Sequence, residues 1–326
     1  MQSTAFFLFG DDPRNGARVV CGTGALIGLN HPEFDPQQQF TRDAYGVTAA
    51  HVVRGGGSVI RLNTKDGKSR YVELDPAEWT FSDTDDLAAI DLTDRLSDQD
   101  EVVVIHDTWL ADQAILNHYN ISVGEDGFML GLFADIVSEH RNVVTARFGN
   151  VSLVGREDVP IKYGNRARSA HLFDMKSRPG FSGSPVFVYR TPSADLRVID
   201  QGAENPSWSF GGQHDRIAQM GQYWRDRENT LIKMLGIHVG QYVDTVRVMQ
   251  DGDVAHEVSE FIRDGDMLRI PNSMSVVATS DSIKELLSHP ALSTQREQRD
   301  KVRPVPSHGV LMERTIYSGW SPNRGR

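Results

Sequence analysis

The sequence predicts an all-β protein built from two groups of strands. Short apolar runs recur along the chain, and its 29 glycines and 14 prolines supply the turns between them, a pattern that favours strands over long helices. A connecting segment at about residues 108–127 separates the two groups. Two such groups suggest two β-barrels side by side. We therefore predict an N-terminal barrel over residues 1–120, a C-terminal barrel over 121–288 and a polar C-terminal tail over 289–326.

In the first group of candidate strands, the polar residues of interest lie at the ends of strands. Residues 44–53 read as a buried strand that ends near His51, and the acidic pair Asp85 and Asp86 stands immediately before the apolar run 87–92. Alternation of apolar and polar residues indicates half-buried strands elsewhere in this group. The remaining candidate strands are residues 18–29, 58–62, 70–74 and 96–105.

The second group begins near residue 127 and contains one long interruption. Its candidate strands are residues 127–133, 143–148, 151–154, the run after residue 184, and 233–240. Residues 190–230 are polar and rich in Gly, Asp and Arg, so we interpret them as an inserted excursion with a helix at about 215–228. Residues 282–287 predict a short helix capped by Asp281 or Ser282. Prolines in 289–326 indicate an extended or partner-dependent tail.

Composition excludes several functions. The net charge of −10, from 34 basic and 44 acidic residues, argues against nucleic-acid binding. The N-terminus has no basic region before its short apolar run, and Asp11 and Asp12 follow it, which is unlike a secretory signal. No run is long enough to span a bilayer. The single cysteine, Cys21, cannot form an intramolecular disulfide, which suits a reducing compartment, although many bacterial secreted proteins also lack disulfides. We expect a cytoplasmic protein.

Ser182 lies between two glycines in Gly-Phe-Ser-Gly-Ser-Pro, residues 180–185. Glycines permit positive φ angles and leave space above the serine. The motif is short, and Gly, Ser and Pro also cluster in ordinary turns. It is not the Gly-x-Ser-x-Gly elbow, because Ser184 stands where the second glycine belongs. A serine hydroxyl needs a neighbouring base to become a nucleophile, so the motif gains meaning only with a histidine and an acid.

His51, Asp86 and Ser182 supply the three groups of a Ser-His-Asp system. The base must reach the hydroxyl, and the acid must hold the imidazole in the correct tautomer. Asp85 is the alternative acid, and Asp83 a weaker one. Strand alternation turns Asp85 and Asp86 to opposite faces, so only one of them can serve. The order His, Asp, Ser along the chain differs from the orders in subtilisins and α/β-hydrolases.

Three segments carry a family resemblance: Thr-Ala-Ala-His-Val at 48–52, Asp-Leu-Ala at 86–88, and Gly-Phe-Ser-Gly-Ser-Pro-Val-Phe at 180–187. Together they resemble the signature segments of the trypsin-like serine peptidases, closest to bacterial glutamyl endopeptidases and HtrA-like proteases, over about residues 18–288. The resemblance implies two six-stranded antiparallel, chymotrypsin-like β-barrels with the site in the cleft between them. It also implies catalysis by His51, Asp86 and Ser182, with an oxyanion hole formed by the amides of Gly180 and Ser182.

Two departures from the digestive trypsins bear on activation. Phe181 stands where those enzymes have an aspartate that pairs with a newly cut N-terminus, and no Ile-Val-Gly-Gly-like start occurs near residue 18. We therefore expect a site that is either formed constitutively or gated in another way.

The strand near His238 carries the specificity prediction. Gly-Ile-His followed by an apolar residue and Gly240 resembles glutamyl endopeptidases and the picornavirus-type proteases, in which the matching histidine reads Glu or Gln. Ser177, five residues before Ser182, supplies a hydroxyl for this pocket, and Lys176 adds positive charge. Asp174 leaves open a pocket for Lys or Arg.

The sequence thus predicts a serine endopeptidase that acts on protein or peptide substrates without a metal or cofactor. A catalytically silent binding or scaffold protein is the alternative, and an esterase is a third reading because acyl transfer is shared chemistry. A cytosolic protease must be controlled, so the excursion and tail also suggest a regulatory protein partner, for example in a stress or defence system. No nucleic-acid or membrane partner is expected.

Overall fold

A computed structural model describes residues 2–30, 41–131, 140–164, 166–190, 231–248 and 265–302. The predicted excursion therefore lies outside the described residues from position 191 to 230, and the tail lies outside them after position 302. Within the described chain, strands dominate and the few helices are short, as the prediction of an all-β protein requires.

The N-terminal half folds into an eight-stranded sheet. Seven strands follow the order β5-β4-β1-β2-β3-β7-β6 with antiparallel pairing, and short β8 pairs with β2 in parallel. The strands are β1 (Ala5–Asp11), β2 (Arg18–Asn30), β3 (Thr41–Ala49), β4 (Val59–Asn63), β5 (Ser69–Glu73), β6 (Thr80–Phe81), β7 (Leu87–Asp91) and β8 (Ile105–His106).

The C-terminal half contains a closed six-stranded barrel in the order β10-β13-β16-β15-β14-β9. A separate two-stranded hairpin, β11 with β12, lies between the second and third barrel strands along the chain. The strands are β9 (Asp126–Gly131), β10 (Thr145–Leu153), β11 (Ile161–Tyr163), β12 (Arg166–Arg168), β13 (Ala170–Asp174), β14 (Pro185–Arg190), β15 (Leu231–Arg247) and β16 (Met267–Thr279).

Four helices are described. Helix α1 (Ala50–Arg54) follows β3, and α2 (Gln113–His118) lies in the connection between the halves. Helices α3 (Ser280–Leu287) and α4 (Pro290–Val302) follow the barrel. The Thr279 hydroxyl caps α3 by accepting the Ser282 N–H at 3.1 Å. None of the helices in the described ranges is long and apolar enough to cross a membrane.

One hydrophobic core runs through both halves. The same cluster of buried side chains includes Phe6 and Tyr45 from the N-terminal sheet, Phe187 and Ile237 from the barrel, and Leu292 from α4. Each of these side chains is at most 1% exposed. Because the core is shared, the two halves hold each other in place, and loops from one half can support residues in the other.

Three sequence predictions need correction. The N-terminal half is an eight-stranded sheet rather than a six-stranded barrel, since β1 and β6 add two strands to the six that the sequence predicted. Of the predicted strand 96–105, only Ile105 lies in a strand, the two-residue β8. The predicted tail begins with the 13-residue helix α4, in which Pro290 occupies the first turn, where its missing N–H costs nothing.

Candidate active site

His51 and Asp86 meet where β3 and β7 lie side by side. His51 does not lie in the strand that the sequence predicted. It belongs to α1, a short helix that begins directly after the end of β3. Asp86 immediately precedes β7, and the Ala50 N–H donates to the Asp86 backbone carbonyl at 2.9 Å. The Asp86 carboxylate accepts the His51 backbone N–H at 3.0 Å and lies 2.6 Å from ring Nδ1. This double contact fixes the orientation of the ring and leaves Nε2 as the ring nitrogen that Asp86 does not contact.

Asp85 lies on the other side of the strand end. Its carboxylate accepts a hydrogen bond from Arg168 at 3.0 Å and one from the Ser282 hydroxyl at 2.6 Å. The side chains of Asp85 and Arg168 are 4% and 9% exposed, so this ion pair is buried. Asp83 is exposed. Of the three acids that the sequence offered, Asp86 is the one that contacts His51.

The loop that carries Ser182 is attached to both halves of the molecule. In the N-terminal sheet, the Thr23 N–H donates to the Ser182 carbonyl at 2.8 Å. In the barrel, the Gly183 N–H donates to the His238 carbonyl at 2.8 Å, and the His238 N–H donates to the Ser184 carbonyl at 2.9 Å. Ser182 itself is half-buried. The loop thus bridges β2 and β15.

A tight turn precedes Ser182. The Phe181 N–H donates to the Arg178 carbonyl at 3.1 Å, which closes a four-residue turn. Pro179 fixes a negative φ at its second position, and Gly180 has φ +96° at its third, the pattern of a type II turn. The Thr23 hydroxyl donates to the Gly180 carbonyl at 2.6 Å and holds the next peptide in place.

The amides on either side of Phe181 are available to a ligand. Within the described part of the chain, the N–H groups of Gly180 and Ser182 donate to no protein acceptor. Phe181 itself is fully buried in the barrel core, against Gly131 and beneath the Arg147 guanidinium. Burial of this ring therefore anchors the loop at the position where the digestive trypsins have an aspartate.

Gly183 is required by close packing. Its φ is +87°, and a Cβ built on it would lie 1.9 Å from the Thr23 carbonyl oxygen. The Thr48 hydroxyl also donates to that oxygen, at 2.6 Å. The glycine after Ser182 therefore allows the Ser182 loop to contact β2, so any larger residue would push the two halves apart.

His238 is buried beneath the loop. Its side chain is 2% exposed, and neither ring nitrogen has a hydrogen-bond partner in the regions that the structure describes. Burial lowers the His238 pKa to about 4; backbone groups of Phe181 and Gly240 oppose this shift, and the charge of His51 adds to it. The ring is therefore neutral at neutral pH.

The other predicted specificity residues differ in their exposure and contacts. Ser177 is half-buried and donates no hydrogen bond to the His238 ring, while Lys176 and Asp174 are exposed. Gly240 lies against the hydroxyl of Tyr163, to which the Gln241 N–H donates at 3.1 Å. Their roles in specificity stay predictions, as do the catalytic roles of His51, Asp86 and Ser182.

Sequence reasoning missed three residues that shape this site: Thr23, Tyr163 and Arg168. Thr23 supports the Ser182 loop, Tyr163 covers Gly240, and Arg168 pairs with the neighbour of Asp86. Their partners lie 157, 78 and 83 residues away along the chain. No local pattern indicates such contacts, because they depend on how the two halves pack.

Comparison with known proteins gives similarity of structure alone. No protein-family model matches the chain, and no curated protein does. The chain is structurally similar to the inactive form of the protease Rv3671c, at 13% identity and a TM-score of 0.41, with 88% of each chain covered. The chain is also similar to the inactive form of a Ser-to-Ala mutant of Rv3671c from M. tuberculosis H37Rv. The identity is 14% and the TM-score is 0.33, with 61% of this chain and 88% of that chain covered.

A third similar structure is the thermostable serine protease AL20 from an extremophilic microorganism. It is 10% identical, with a TM-score of 0.40 and coverage of 89% of this chain and 97% of that one. At this level of similarity, nothing about activity or substrate transfers from these proteins to the chain.

Proposed function

We propose that the chain is a serine endopeptidase that cleaves protein or peptide substrates through an acyl-enzyme. The observation that carries the proposal is the double contact between His51 and Asp86, 2.6 Å at the ring and 3.0 Å at the backbone, in a half-exposed position. This half-exposed histidine has its tautomer fixed by the carboxylate at Nδ1. It suits a general base whose second nitrogen must be free.

In the proposed reaction, Ser182 Oγ attacks the carbonyl carbon of the scissile peptide bond while His51 Nε2 takes the hydroxyl proton. Asp86 stabilises the imidazolium that forms. The carbonyl oxygen becomes an oxyanion, and the free N–H groups of Gly180 and Ser182 are the candidate donors to it.

The tetrahedral intermediate then collapses. The C–N bond breaks, His51 gives its proton to the leaving amine, and the acyl group stays on Ser182. A water molecule attacks the ester carbonyl carbon while His51 takes its proton. The C–O bond to Ser182 then breaks, His51 gives the proton to Ser182 Oγ, and the carboxylic acid product leaves. The type II turn at Pro179 and Gly180 supports this scheme, because it orients the Gly180 amide without an activating ion pair.

For specificity, we propose cleavage after Gln or Glu with His238 as the reader. A neutral buried imidazole can donate one hydrogen bond to a side-chain carbonyl oxygen. Burial of a carboxylate beside an uncharged ring is costly, so Gln is expected to be cleaved faster than Glu at neutral pH. A pocket for Lys or Arg around Asp174 is the competing outcome.

We also propose that this is a cytoplasmic enzyme under the control of a protein partner. Helix α4 packs on the N-terminal sheet, so a test of tail control must preserve it. A chain that ends at residue 302 keeps α4 and removes only the following segment. Unchanged cleavage rates in this shortened chain, with and without candidate partners, would exclude control by that segment.

The deciding experiment compares wild type with Ser182→Ala and Ser184→Ala. Ser184 lies two residues further on, and its buried hydroxyl has no partner in the described chain, which makes it a matched control. Each protein is treated with a fluorophosphonate probe and incubated with a denatured proteome whose new termini are mapped. We expect labelling and cleavage in wild type and Ser184→Ala and neither in Ser182→Ala.

Each other outcome selects another function. Labelling of wild type without any peptide cleavage would favour an esterase. No labelling and no cleavage in any of the three proteins would favour a binding or scaffold protein. Cuts after Lys or Arg would keep the serine mechanism and reject the His238 pocket.

A further inference from the structure

An edge of β15 runs away from the Ser182 loop. Up to Ile237, β15 pairs with β14 on one side and with β16 on the other. At His238, the loop residues Gly183 and Ser184 take the place of β14. Beyond His238, β15 continues to pair with β16, but β14 has ended. From Val239 onward, this edge of β15 therefore has no neighbouring strand among the residues that the structure describes.

An extended peptide whose carbonyl lies at Ser182 would run along this edge. Peptides commonly bind by adding a strand to an open sheet edge. Strand residues are spaced about 3.3 Å apart, so the Gln241 N–H lies roughly 10 Å along the strand from His238. That distance corresponds to about three substrate residues on the acyl side of the scissile bond.

Tyr163 occupies this edge in the structure. Its hydroxyl accepts the Gln241 N–H at 3.1 Å, the bond that a substrate carbonyl would make. The same hydroxyl lies over Gly240, where a built Cβ would approach it to 1.8 Å. The edge is thus capped by a side-chain oxygen that imitates a backbone carbonyl.

The hairpin that carries Tyr163 is held by side chains. Among the described strands, β11 and β12 pair only with each other. The Tyr242 hydroxyl donates to the Lys162 carbonyl at 2.8 Å, and the rings of Tyr163 and Tyr242 meet edge to face at 5.6 Å. At the other end of the hairpin, Arg168 pairs with Asp85. No sheet must be broken to lift the hairpin tip.

We propose that Tyr163 is a specificity-determining residue that covers the peptide-binding edge of β15, so that extended polypeptides must displace it whereas small acyl substrates need not. The proposal rests on the proposed peptidase function. Under this proposal, Tyr163 makes the enzyme discriminate between substrates by their length. Arg168 fixes the base of the hairpin beside the residue that precedes Asp86, and the tip moves when a peptide carbonyl replaces the Tyr163 hydroxyl at Gln241.

The test compares Tyr163→Phe with Tyr71→Phe. The first variant keeps the ring and removes only the hydroxyl; the second makes the same change on β5, at a 44% exposed position. A free Gln241 N–H no longer needs to exchange partners, so kcat/KM for an extended peptide is expected to rise about two- to tenfold in Tyr163→Phe. The rate with a small ester should stay within about twofold of wild type.

A second measurement does not depend on catalysis. In the Ser182→Ala background, amide exchange at Gln241 is expected to be faster with Tyr163→Phe, and affinity for the same peptide is expected to rise. A kcat/KM for the extended peptide that is unchanged or lower in Tyr163→Phe, with the ester rate preserved, would overturn the proposal.

Failure of the two proposals can be told apart. If no variant reacts with fluorophosphonate, ester or peptide, the peptidase proposal fails, while amide exchange and peptide affinity still report on Tyr163. If labelling is normal but the Tyr163→Phe protein exchanges and binds peptide as the parent does, the covering role alone is wrong.

Discussion

Asp85 and Asp86 are neighbours in the chain whose carboxylates serve opposite sides of the same strand end. Asp86 holds His51 at 2.6 Å, whereas Asp85 forms a buried ion pair with Arg168 at 3.0 Å. The two adjacent acids thus have different contacts: Asp86 contacts His51 at the candidate active site, and Asp85 joins the N-terminal sheet to β12 and α3. Substitution of Asp86 is therefore expected to change kcat, whereas substitution of Asp85 is expected to change stability.

Asp86→Asn is expected to lower kcat by about 10⁴-fold, because the amide favours the wrong imidazole tautomer. The side chain is 20% exposed, so folding should change little. The measurement is kcat with a small ester, paired with urea unfolding. An ester rate close to that of wild type would contradict a catalytic role for Asp86.

Asp85→Asn is expected to act on stability. The change leaves the Arg168 guanidinium buried without its counter-charge, a loss of about 3–5 kcal/mol in the free energy of unfolding. After correction for folded protein by fluorophosphonate titration, kcat should remain within about tenfold of wild type, well above that of Asp86→Asn. Equal catalytic losses in the two variants would show that the acids act as one unit.

Gly180→Ala tests the turn before Ser182. Gly180 has φ +96°, which an L-residue adopts at a cost, so the turn is expected to change type and rotate the Gly180 amide. Loss of one oxyanion donor typically lowers kcat by about 10²–10³-fold. The control is Gly67→Ala, at φ +84° with open space around it. Gly67→Ala should lose about as much stability as Gly180→Ala but keep its activity. A loss of kcat equal to that of Gly180→Ala would reject the assignment of the Gly180 N–H as an oxyanion donor.

His171 and His238 make the fold sensitive to mild acid. Burial lowers the pKa of each ring from 6.5 to about 4. Above pH 6.5 both rings are neutral in the folded and unfolded chains, and neither costs stability. As the pH falls below 6.5, the unfolded chain binds protons that the folded chain excludes, so stability decreases until about pH 4. Each histidine is expected to remove about 2 kcal/mol between pH 7.5 and 5.

The variant His171→Asn isolates one of these contributions. The Asn side-chain oxygen can accept the Gly155 N–H that His171 Nδ1 accepts at 3.0 Å, so the fold should tolerate the change at neutral pH. Urea unfolding at the two pH values should then show about 2 kcal/mol less acid sensitivity than wild type. His118→Asn, on the exposed face of α2, serves as the control. Identical acid sensitivity in both variants would contradict the burial argument.

Arg299 ties α4 to the N-terminal sheet. Its guanidinium lies 2.7 Å from Asp43 and 2.7 Å from Asp91, both nearly buried. Burial alone would lower the Arg299 pKa, but hydrogen bonds and charge from the two carboxylates outweigh it and raise the pKa above its usual value. Arg299→Ala leaves these carboxylates without a counter-charge. It should lower the free energy of unfolding in urea by about 3 kcal/mol.

The control for Arg299 is Arg95→Ala. Arg95 pairs with Glu78 at the surface, where the two side chains are 32% and 41% exposed. Such a pair contributes less than about 1 kcal/mol. Similar losses in the two variants would mean that α4 is attached by Leu292 and its apolar contacts rather than by Arg299.

The sequence predicted most strands of the N-terminal sheet, but it divided β10 into two candidates, 143–148 and 151–154, and offered no candidate for β13 or β16. It missed β1, because Ala5–Asp11 is apolar on both faces and buried between β2 and β4, so no alternation appears. It missed α4, because the polar composition of residues 290–302 hides one buried side chain, Leu292, and one buried ion pair. Both elements are defined by packing partners that lie far away in the chain.

At the candidate site, local motifs found the residues with reactive side chains and missed those that support them. The acid pair before β7 and the glycines around Ser182 are visible as short patterns. Thr23 and Tyr163 are an ordinary strand threonine and an ordinary hairpin tyrosine until the fold brings them to Gly180 and Gln241. Ser177 and His238, the predicted hydroxyl and imidazole of the specificity pocket, form no hydrogen bond with each other in the described chain, and their roles stay predictions.

The dependence of the Ser182 loop on both halves has a consequence for protein synthesis. The loop leaves the ribosome before β15 and β16, which hold its barrel side and close the barrel. A partly made chain therefore contains the serine and its Thr23 support but lacks the barrel support from His238, so it is expected to lack the proposed activity. Ribosome-bound chains stalled before residue 231 are expected to resist fluorophosphonate, and labelling of such chains would show that Thr23 alone suffices to build the loop.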